Sequence, residues 1–98
     1  MPPKEWTHYL PDGFTLRVGR QTVGGKMTGF SVALVYEGEC IVRYDTAHGF
    51  AHRDILGRKS GLIEKQTCET LSTREAFQYA IHDLKTNYRQ HLAFYVAH

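Results

Sequence analysis

The chain has 98 residues, of which 42% are hydrophobic and 22% are charged. This length allows one domain and excludes an enzyme with a separate cofactor-binding domain, and the composition excludes a disordered chain. The formal net charge of +2 is too small to indicate a nucleic-acid binder by itself. No apolar run approaches the roughly 18 residues of a membrane span. With no signal peptide before Cys40 and Cys68, we expect a cytoplasmic protein with two reduced thiols.

Residues 1 to 13 are predicted to be a poorly ordered lead-in, because prolines and turn residues crowd this segment. Residues 14 to 98 are predicted to form a single domain. From Phe14, apolar and polar residues alternate, which predicts a first strand. Similar runs predict further strands in GFSVALVY, ECIVRYD, AHRDIL and LIEKQTC. Because short turns separate these runs, we expect an antiparallel meander of about four to six strands.

The hydrophobic period changes after Leu71. Ser72 to Glu75 match a capping box, which marks the start of a helix. Apolar residues then recur at helical spacing, while Asp83 falls on the polar part of the wheel. The apolar positions are Phe77, Ala80, Ile81, Leu84, Tyr88, Leu92 and Tyr95. A helix with one apolar stripe must bury it, so we predict an α+β fold in which one long C-terminal helix packs on one face of the sheet.

The segment RYDTAHGFAHRD, residues 43 to 54, concentrates polar side chains. It contains two His, two Asp, two Arg and one Tyr. In an extended chain His48, His52 and Asp54 would share a face, because side chains at even spacings do. Gly49 allows a bend that would bring the two imidazoles together.

Three interpretations of this segment stay open, and RNA cleavage leads. One of His48 and His52 would take the proton of a ribose 2′-hydroxyl, and the other would protonate the leaving 5′-oxygen. Asp45 is counted with this catalytic set. Substrate binding is assigned to the neighbouring polar side chains, which could clamp phosphate or stack on a base. These residues are Arg43, Tyr44, Arg53 and Asp54.

The second interpretation is a metal site. His48, His52, Asp45 and Asp54 offer ligand types that suit zinc or manganese. On a straight strand the two His would lie about 13 Å apart, too far to share one ion. A bend at Gly49 would make a shared ion possible, so this interpretation stays open, but the predicted site includes no metal and no other cofactor. The third interpretation is structural, with half-buried His on an exposed sheet face and Arg53 and Asp54 in a cross-strand ion pair.

The run RYDTAHGFAHRDIL resembles the TumE-like toxins of bacterial and archaeal toxin–antitoxin pairs, in which an RYDNAHG-type strand end precedes a His-rich stretch. Asp54 stands where a further His is common. Uncharacterised short prokaryotic proteins that share RYDTAHG and the C-terminal amphipathic helix look similar over roughly residues 28 to 90. The matching residues in the run are Arg43, Tyr44, Asp45, Ala47, His48, Gly49, His52 and Arg53.

The resemblance implies a ribonuclease-type toxin that a small antitoxin neutralises. We therefore expect RNA and an antitoxin protein as partners, and no membrane. The alternative is a non-catalytic interaction module or a homodimer, in which the open sheet face or an edge strand pairs with another chain.

Overall fold

The computed structural model describes residues 4–46, 50–68 and 71–98. Within these ranges the strands lie in chain order in one antiparallel sheet, and a long helix follows them. The predicted α+β fold, a meander with a C-terminal helix on one face, is confirmed. The elements are β1 (Lys4–Tyr9), β2 (Phe14–Val23), β3 (Lys26–Tyr36), β4 (Glu39–Asp45), β5 (His52–Gly57), β6 (Gly61–Thr67) and α1 (Thr73–Ala97).

The segment predicted as a lead-in contains a strand. β1 pairs antiparallel with β2, from Lys4 opposite Arg20 to Tyr9 opposite Thr15. Every residue of β1 is exposed, so main-chain hydrogen bonds rather than buried side chains hold it in place. Such a strand has no period-two apolar pattern, which is why hydrophobic periodicity misses it. The domain boundary at residue 13 stays a prediction.

One face of the sheet carries the hydrophobic core. The register of β2, β3 and β4 places Leu16, Leu34 and Val42 side by side, and all three are buried. Helix α1 packs over this face, mainly on β3, β4 and β5. Ala76 and Ala80 are fully buried, and their small side chains let the helix approach the strands closely. Within the described ranges, no α-helix covers the opposite face of the sheet.

The ends of α1 are fixed in different ways. At its start, Ser72 Oγ accepts from the Glu75 N–H at 3.1 Å, and Glu75 Oε1 accepts from the Ser72 N–H at 3.0 Å, which confirms the predicted capping box. At its end, the Ser60 N–H donates to the carbonyl of His98 at 3.1 Å. A Cβ at Gly57 would lie 2.8 Å from that carbonyl carbon, so this strand position requires glycine.

The described residues contain no helix with the length and hydropathy that a membrane span needs. The predicted cytoplasmic location stays a prediction.

Replacing Leu84 by Ala should lower the free energy of unfolding by about 2–5 kcal/mol, because the side chain is fully buried between α1 and the sheet. The matched control is Leu62→Ala on β6, where the side chain is 54% exposed, and the expected change is within about 0.5 kcal/mol. Urea denaturation measures both. Equal losses would contradict the placement of the core under α1.

Candidate functional site

The two polar tripeptides of the segment, RYD and HRD, pair with each other across β4 and β5. We call the sheet face opposite α1 the open face. Successive side chains of a strand alternate between faces, so the first and last of the three facing pairs lie on the open face and the middle pair lies towards α1. The predicted substrate-binding residues are therefore divided between the two faces. The three facing pairs are Arg43 with Asp54, Tyr44 with Arg53, and Asp45 with His52.

We call Arg43, Asp45, His52, Asp54 and Lys65 the open-face cluster. Asp54 Oδ2 accepts from Arg43 Nη2 at 2.7 Å and from Nε at 3.2 Å. Lys65 Nζ lies 3.1 Å from Asp54 Oδ1, as an ion pair rather than a hydrogen bond of good angle. The Asp54 side chain is 1% exposed, whereas those of Arg43 and Lys65 are 44% and 41% exposed. Two cationic side chains, not the core, thus cover this carboxylate.

The charge of Asp54 is stabilised by the same two neighbours. Burial alone would raise the pKa of this carboxyl, but the contacts with Arg43 and Lys65 outweigh burial and lower it. Asp54 therefore stays ionised at neutral pH and keeps the Arg43 guanidinium in place.

His52 is sealed inside this cluster, with 2% of its side chain exposed. Its Nε2 lies 2.8 Å from Asp45 Oδ1 and 3.2 Å from Lys65 Nζ. Its Nδ1 lies 3.4 Å from the carbonyl oxygen of Phe50. Because both ring nitrogens face protein groups, this placement favours a positioning role for His52 over proton transfer with a substrate.

His48 and Gly49 lie outside the described residues, as does Ala47. The predicted pairing of His48 with His52, and the bend between them, stay predictions. β4 ends at Asp45, and the next residue, Thr46, accepts at Oγ1 from the Phe30 N–H at 3.0 Å.

Asp45, His52 and Asp54 are close enough to share one metal ion, because one ligand atom from each lies within 4.8 Å of the others. Carboxylate and imidazole ligands suit zinc or manganese. Lys65 Nζ, however, lies 3.1 Å from Asp54 Oδ1 and 3.2 Å from His52 Nε2, so an ammonium already supplies positive charge among these atoms. A metal ion would have to displace Lys65.

A second polar cluster lies on the face towards α1 and is centred on Asp83, which is buried. Tyr44 Oη donates to Asp83 Oδ2 at 2.6 Å, and Asn87 Nδ2 donates to Oδ1 at 2.8 Å. His91 Nε2 lies 3.1 and 3.2 Å from the two carboxylate oxygens. Arg53 Nη1 lies 3.5 Å from Asp83 Oδ2, and Gln66 accepts from Arg53. We call this group the helix-face cluster, which consists of Tyr44, Arg53, Gln66, Asp83, Asn87 and His91.

The hydrogen bonds decide which groups of this cluster are charged. Burial raises the pKa of Asp83, but the hydrogen bonds from His91, Tyr44 and Asn87 outweigh burial and hold it well below its usual range. Burial and the bond to Asp83 raise the pKa of the Tyr44 phenol far above its usual value. At neutral pH the cluster therefore pairs a carboxylate with a neutral phenol.

Sequence reasoning did not select Asp83, Asn87 and His91. The helical wheel places Asp83 on the polar side of α1, yet the structure buries it against Tyr44. A signal was present, because the three residues recur every fourth position and so share one helix face. The sequence alone does not show that this row on α1 faces the buried phenol of Tyr44 on β4.

Replacing Asp83 by Asn should remove an acid-sensitive part of the stability. The pKa of Asp83 is lower in the folded protein than in the unfolded chain, where it is about 4. The contribution of Asp83 to the free energy of unfolding is therefore complete above about pH 4 and is lost as the pH falls below that value. The wild type should therefore lose melting temperature on acidification more steeply than Asp83→Asn, which starts lower at neutral pH. Asp12→Asn, at an exposed ion pair, is the control. Parallel pH profiles for Asp83→Asn and the wild type would refute this role.

The chain matches the model of a family described as a domain of unknown function, DUF7718, over residues 1–98. No curated protein matches the chain, and no solved structure does either. The resemblance to TumE-like toxins stays an expectation from the residues around Arg43 to Asp54. Because the family match covers all 98 residues of the sequence, the chain belongs to the DUF7718 family.

Proposed function

We propose that the protein is a toxin-like ribonuclease that binds RNA on the sheet face opposite α1. The observation that carries this proposal is a row of exposed cations across that face. Arg17, Arg43 and Lys65 are exposed, and they alternate with one small residue and one carboxylate. In strand order from β2 to β6 the row reads Arg17, Ala33, Arg43, Asp54, Lys65.

The spacing of this row suits a polyanion. Neighbouring strands lie about 5 Å apart, so cations two strands apart recur roughly every 10 Å across the sheet. A single RNA strand laid across β2 to β6 would meet Arg17, Arg43 and Lys65 in turn. Contacts of Arg and Lys with phosphate supply the sequence-independent part of the affinity for nucleic acids.

Arg43 is the residue best placed to bind the scissile phosphate. Its Nε and Nη2 are held by Asp54, which fixes the plane of the guanidinium. Its Nη1 has no hydrogen-bond partner within the described parts of the chain. A guanidinium oriented on one side and open on the other can stabilise the charge that develops on phosphorus oxygens.

In this proposal His48 moves the proton of the attacking ribose 2′-hydroxyl. His52 is a positioning residue, because its pair with Asp45 joins the end of β4 to the start of β5. The connection that carries His48 begins and ends next to this pair. Tyr44 and Arg53 face α1 and are not assigned to the RNA surface.

The proposal includes a protein partner, which the resemblance to TumE-like toxins implies. β1 and β6 are the outer strands of the sheet as described, and β6 exposes Leu62 and Ile63. An outer strand with exposed apolar side chains can accept a strand from another chain. We infer that an antitoxin would add to β6.

Replacing His48 by Ala should reduce RNA cleavage by about 10²–10⁴-fold, the usual loss for a general acid–base group. His52→Gln keeps a donor where Nε2 meets Asp45, so it should retain most of the activity. His8→Ala, an exposed His on β1, is the matched control. Cleavage of labelled RNA and growth inhibition on expression measure the effects, with and without a chelator.

Several outcomes of this experiment would contradict the assignment. Unchanged cleavage in His48→Ala would remove its catalytic role. If His52→Gln lost as much RNA cleavage as His48→Ala, proton transfer would have to be assigned to His52 as well. Wild-type protein that cleaves no RNA in metal-free or metal-loaded buffer would favour the non-catalytic interaction module.

Replacing Arg17 by Ala should weaken RNA binding and lower the slope of log affinity against log salt by about one, because one phosphate contact is lost. Arg17 is exposed at the end of the cationic row, so folding should be unaffected. Lys26→Ala removes an exposed cation outside the row and should leave the affinity near wild type. Fluorescence anisotropy with single-stranded RNA measures both. Equal effects of the two substitutions would argue against a defined RNA surface.

A further inference from the structure

The outer edge of β1 is open to another strand. β1 pairs with β2 on one side, and among the described residues no strand lies on its other side. Helix α1 packs mainly on β3, β4 and β5, so it leaves β1 accessible. The main-chain N–H and C=O groups along the free edge of an outer strand can bond to a further strand.

β1 lacks the features that usually keep outer strands from pairing. Such strands commonly carry charged side chains, Pro or a bulge. The run WTHY, from Trp6 to Tyr9, contains no Lys, Arg, Asp, Glu or Pro, and β1 pairs with β2 without a register shift. The side chains of Trp6 and Tyr9 are 39% and 80% exposed. The edge is therefore regular, and it carries large aromatic side chains that a further strand would partly cover.

The chemistry of β1 fits a second copy of itself. Two copies of one strand pair antiparallel about a two-fold axis perpendicular to the sheet, and residues that face each other then lie on the same side of the sheet. With the axis at Thr7, this residue faces its own copy and Trp6 faces the second copy's His8. Glu5 then faces Tyr9, whose phenol can donate to the carboxylate. This register opposes no like charges.

Other ways of self-pairing are less favourable. An axis at Trp6 would place Lys4 opposite the basic side chain of His8, and an axis at Glu5 would place two carboxylates opposite each other. Self-pairing of β6 about its middle residue would place Glu64 opposite its own copy. Like charges that face each other across a strand pair are destabilising. Charge thus favours β1, with the axis at Thr7.

The cationic row of the open face supports the same register. Thr7 lies opposite Arg17 in the pairing of β1 with β2, so Thr7 extends the row to the outer edge. A two-fold axis perpendicular to the sheet keeps the open faces of both copies on one side. With the axis at Thr7 the two rows join end to end, and the two Arg17 side chains lie three strand spacings apart, about 14 Å. An axis at any other residue of β1 would offset the rows.

We propose that the protein forms a homodimer through antiparallel pairing of β1 about an axis at Thr7, which joins the two cationic rows into one surface for single-stranded RNA. The shared RNA surface rests on the proposed function, whereas the pairing of β1 does not. Two strands of six residues bury a small area, at the low end of specific interfaces, so the dimer should be weak and form at high protein concentration.

The test places charges on the axis. Because Thr7 faces its own copy, Thr7→Asp and Thr7→Lys should each prevent dimer formation, and an equimolar mixture of the two variants should restore it. Sedimentation equilibrium of the full-length protein over a wide concentration range measures the mass. For the wild type and the mixture the mass should rise from 11.2 kDa towards twice that value. Thr28→Asp and Thr28→Lys, at an exposed position on β3, are the matched controls and should associate like the wild type.

Three results would overturn the pairing. The first is a wild-type mass that stays that of a monomer at every concentration. The second is a mixture of the two Thr7 variants that does not associate. The third is stronger association of Thr7→Lys alone, which would place the axis at Trp6, where Thr7 faces Glu5.

A second measurement tests the shared RNA surface. For a single-stranded RNA that crosses both rows, the slope of log affinity against log salt should be about twice as steep for Thr28→Asp, which pairs, as for Thr7→Asp, which does not, because the dimer contacts twice as many phosphates. Equal slopes would overturn the shared surface. A dimer that binds no RNA would refute the proposed function, and with it the shared surface, but not the pairing of β1.

Discussion

The in-register pairing of RYD on β4 with HRD on β5 organises the polar chemistry of this protein. Each residue of one tripeptide faces a residue of the other, and the alternation of strand side chains sends the pairs to opposite faces. A slip of β4 by one residue would turn its side chains to the other face, which would separate Asp45 from His52 and Tyr44 from Arg53. Both polar clusters therefore depend on this register.

Each cluster stabilises a buried carboxylate with several donors. Asp54 is covered by Arg43 and Lys65. Asp83 accepts from Tyr44 on β4 and from Asn87 and His91 on α1. Removing one partner of a buried charge typically costs about 3–5 kcal/mol, because the remaining charge stays without compensation. The two clusters join β4 to β5, β6 and α1, and they fix their side chains in defined positions.

Helix α1 makes the two faces of the sheet different. α1 covers one face, closes the core and contributes Asp83 to a buried polar cluster and His91 to a cleft beside the strands. The other face exposes a row of cations, and in the part of the chain that the structure describes no α-helix lies over it. One sheet thus carries two separate polar surfaces, with β4 and β5 contributing to both.

Much of the architecture could be predicted from local pattern. The period-two runs after Phe14, the capping box at Ser72 and the apolar stripe of α1 each arise from neighbours in sequence, so the α+β fold followed from them. The polar segment was also visible as a candidate site. β1 was not visible, because its side chains are all exposed and show no period-two apolar pattern.

Only the tertiary structure decided which polar residues are buried and which groups they contact. The sequence by itself determined that Arg43 to Asp54 would be rich in charge, and that a helix would cover one sheet face. Only the fold decided that His52 is sealed beside Asp45, that Asp83 meets Tyr44, and that His91 borders a cleft. The physical reason is that hydrogen bonds between distant side chains depend on register and helix rotation, which residues far apart in the chain set together.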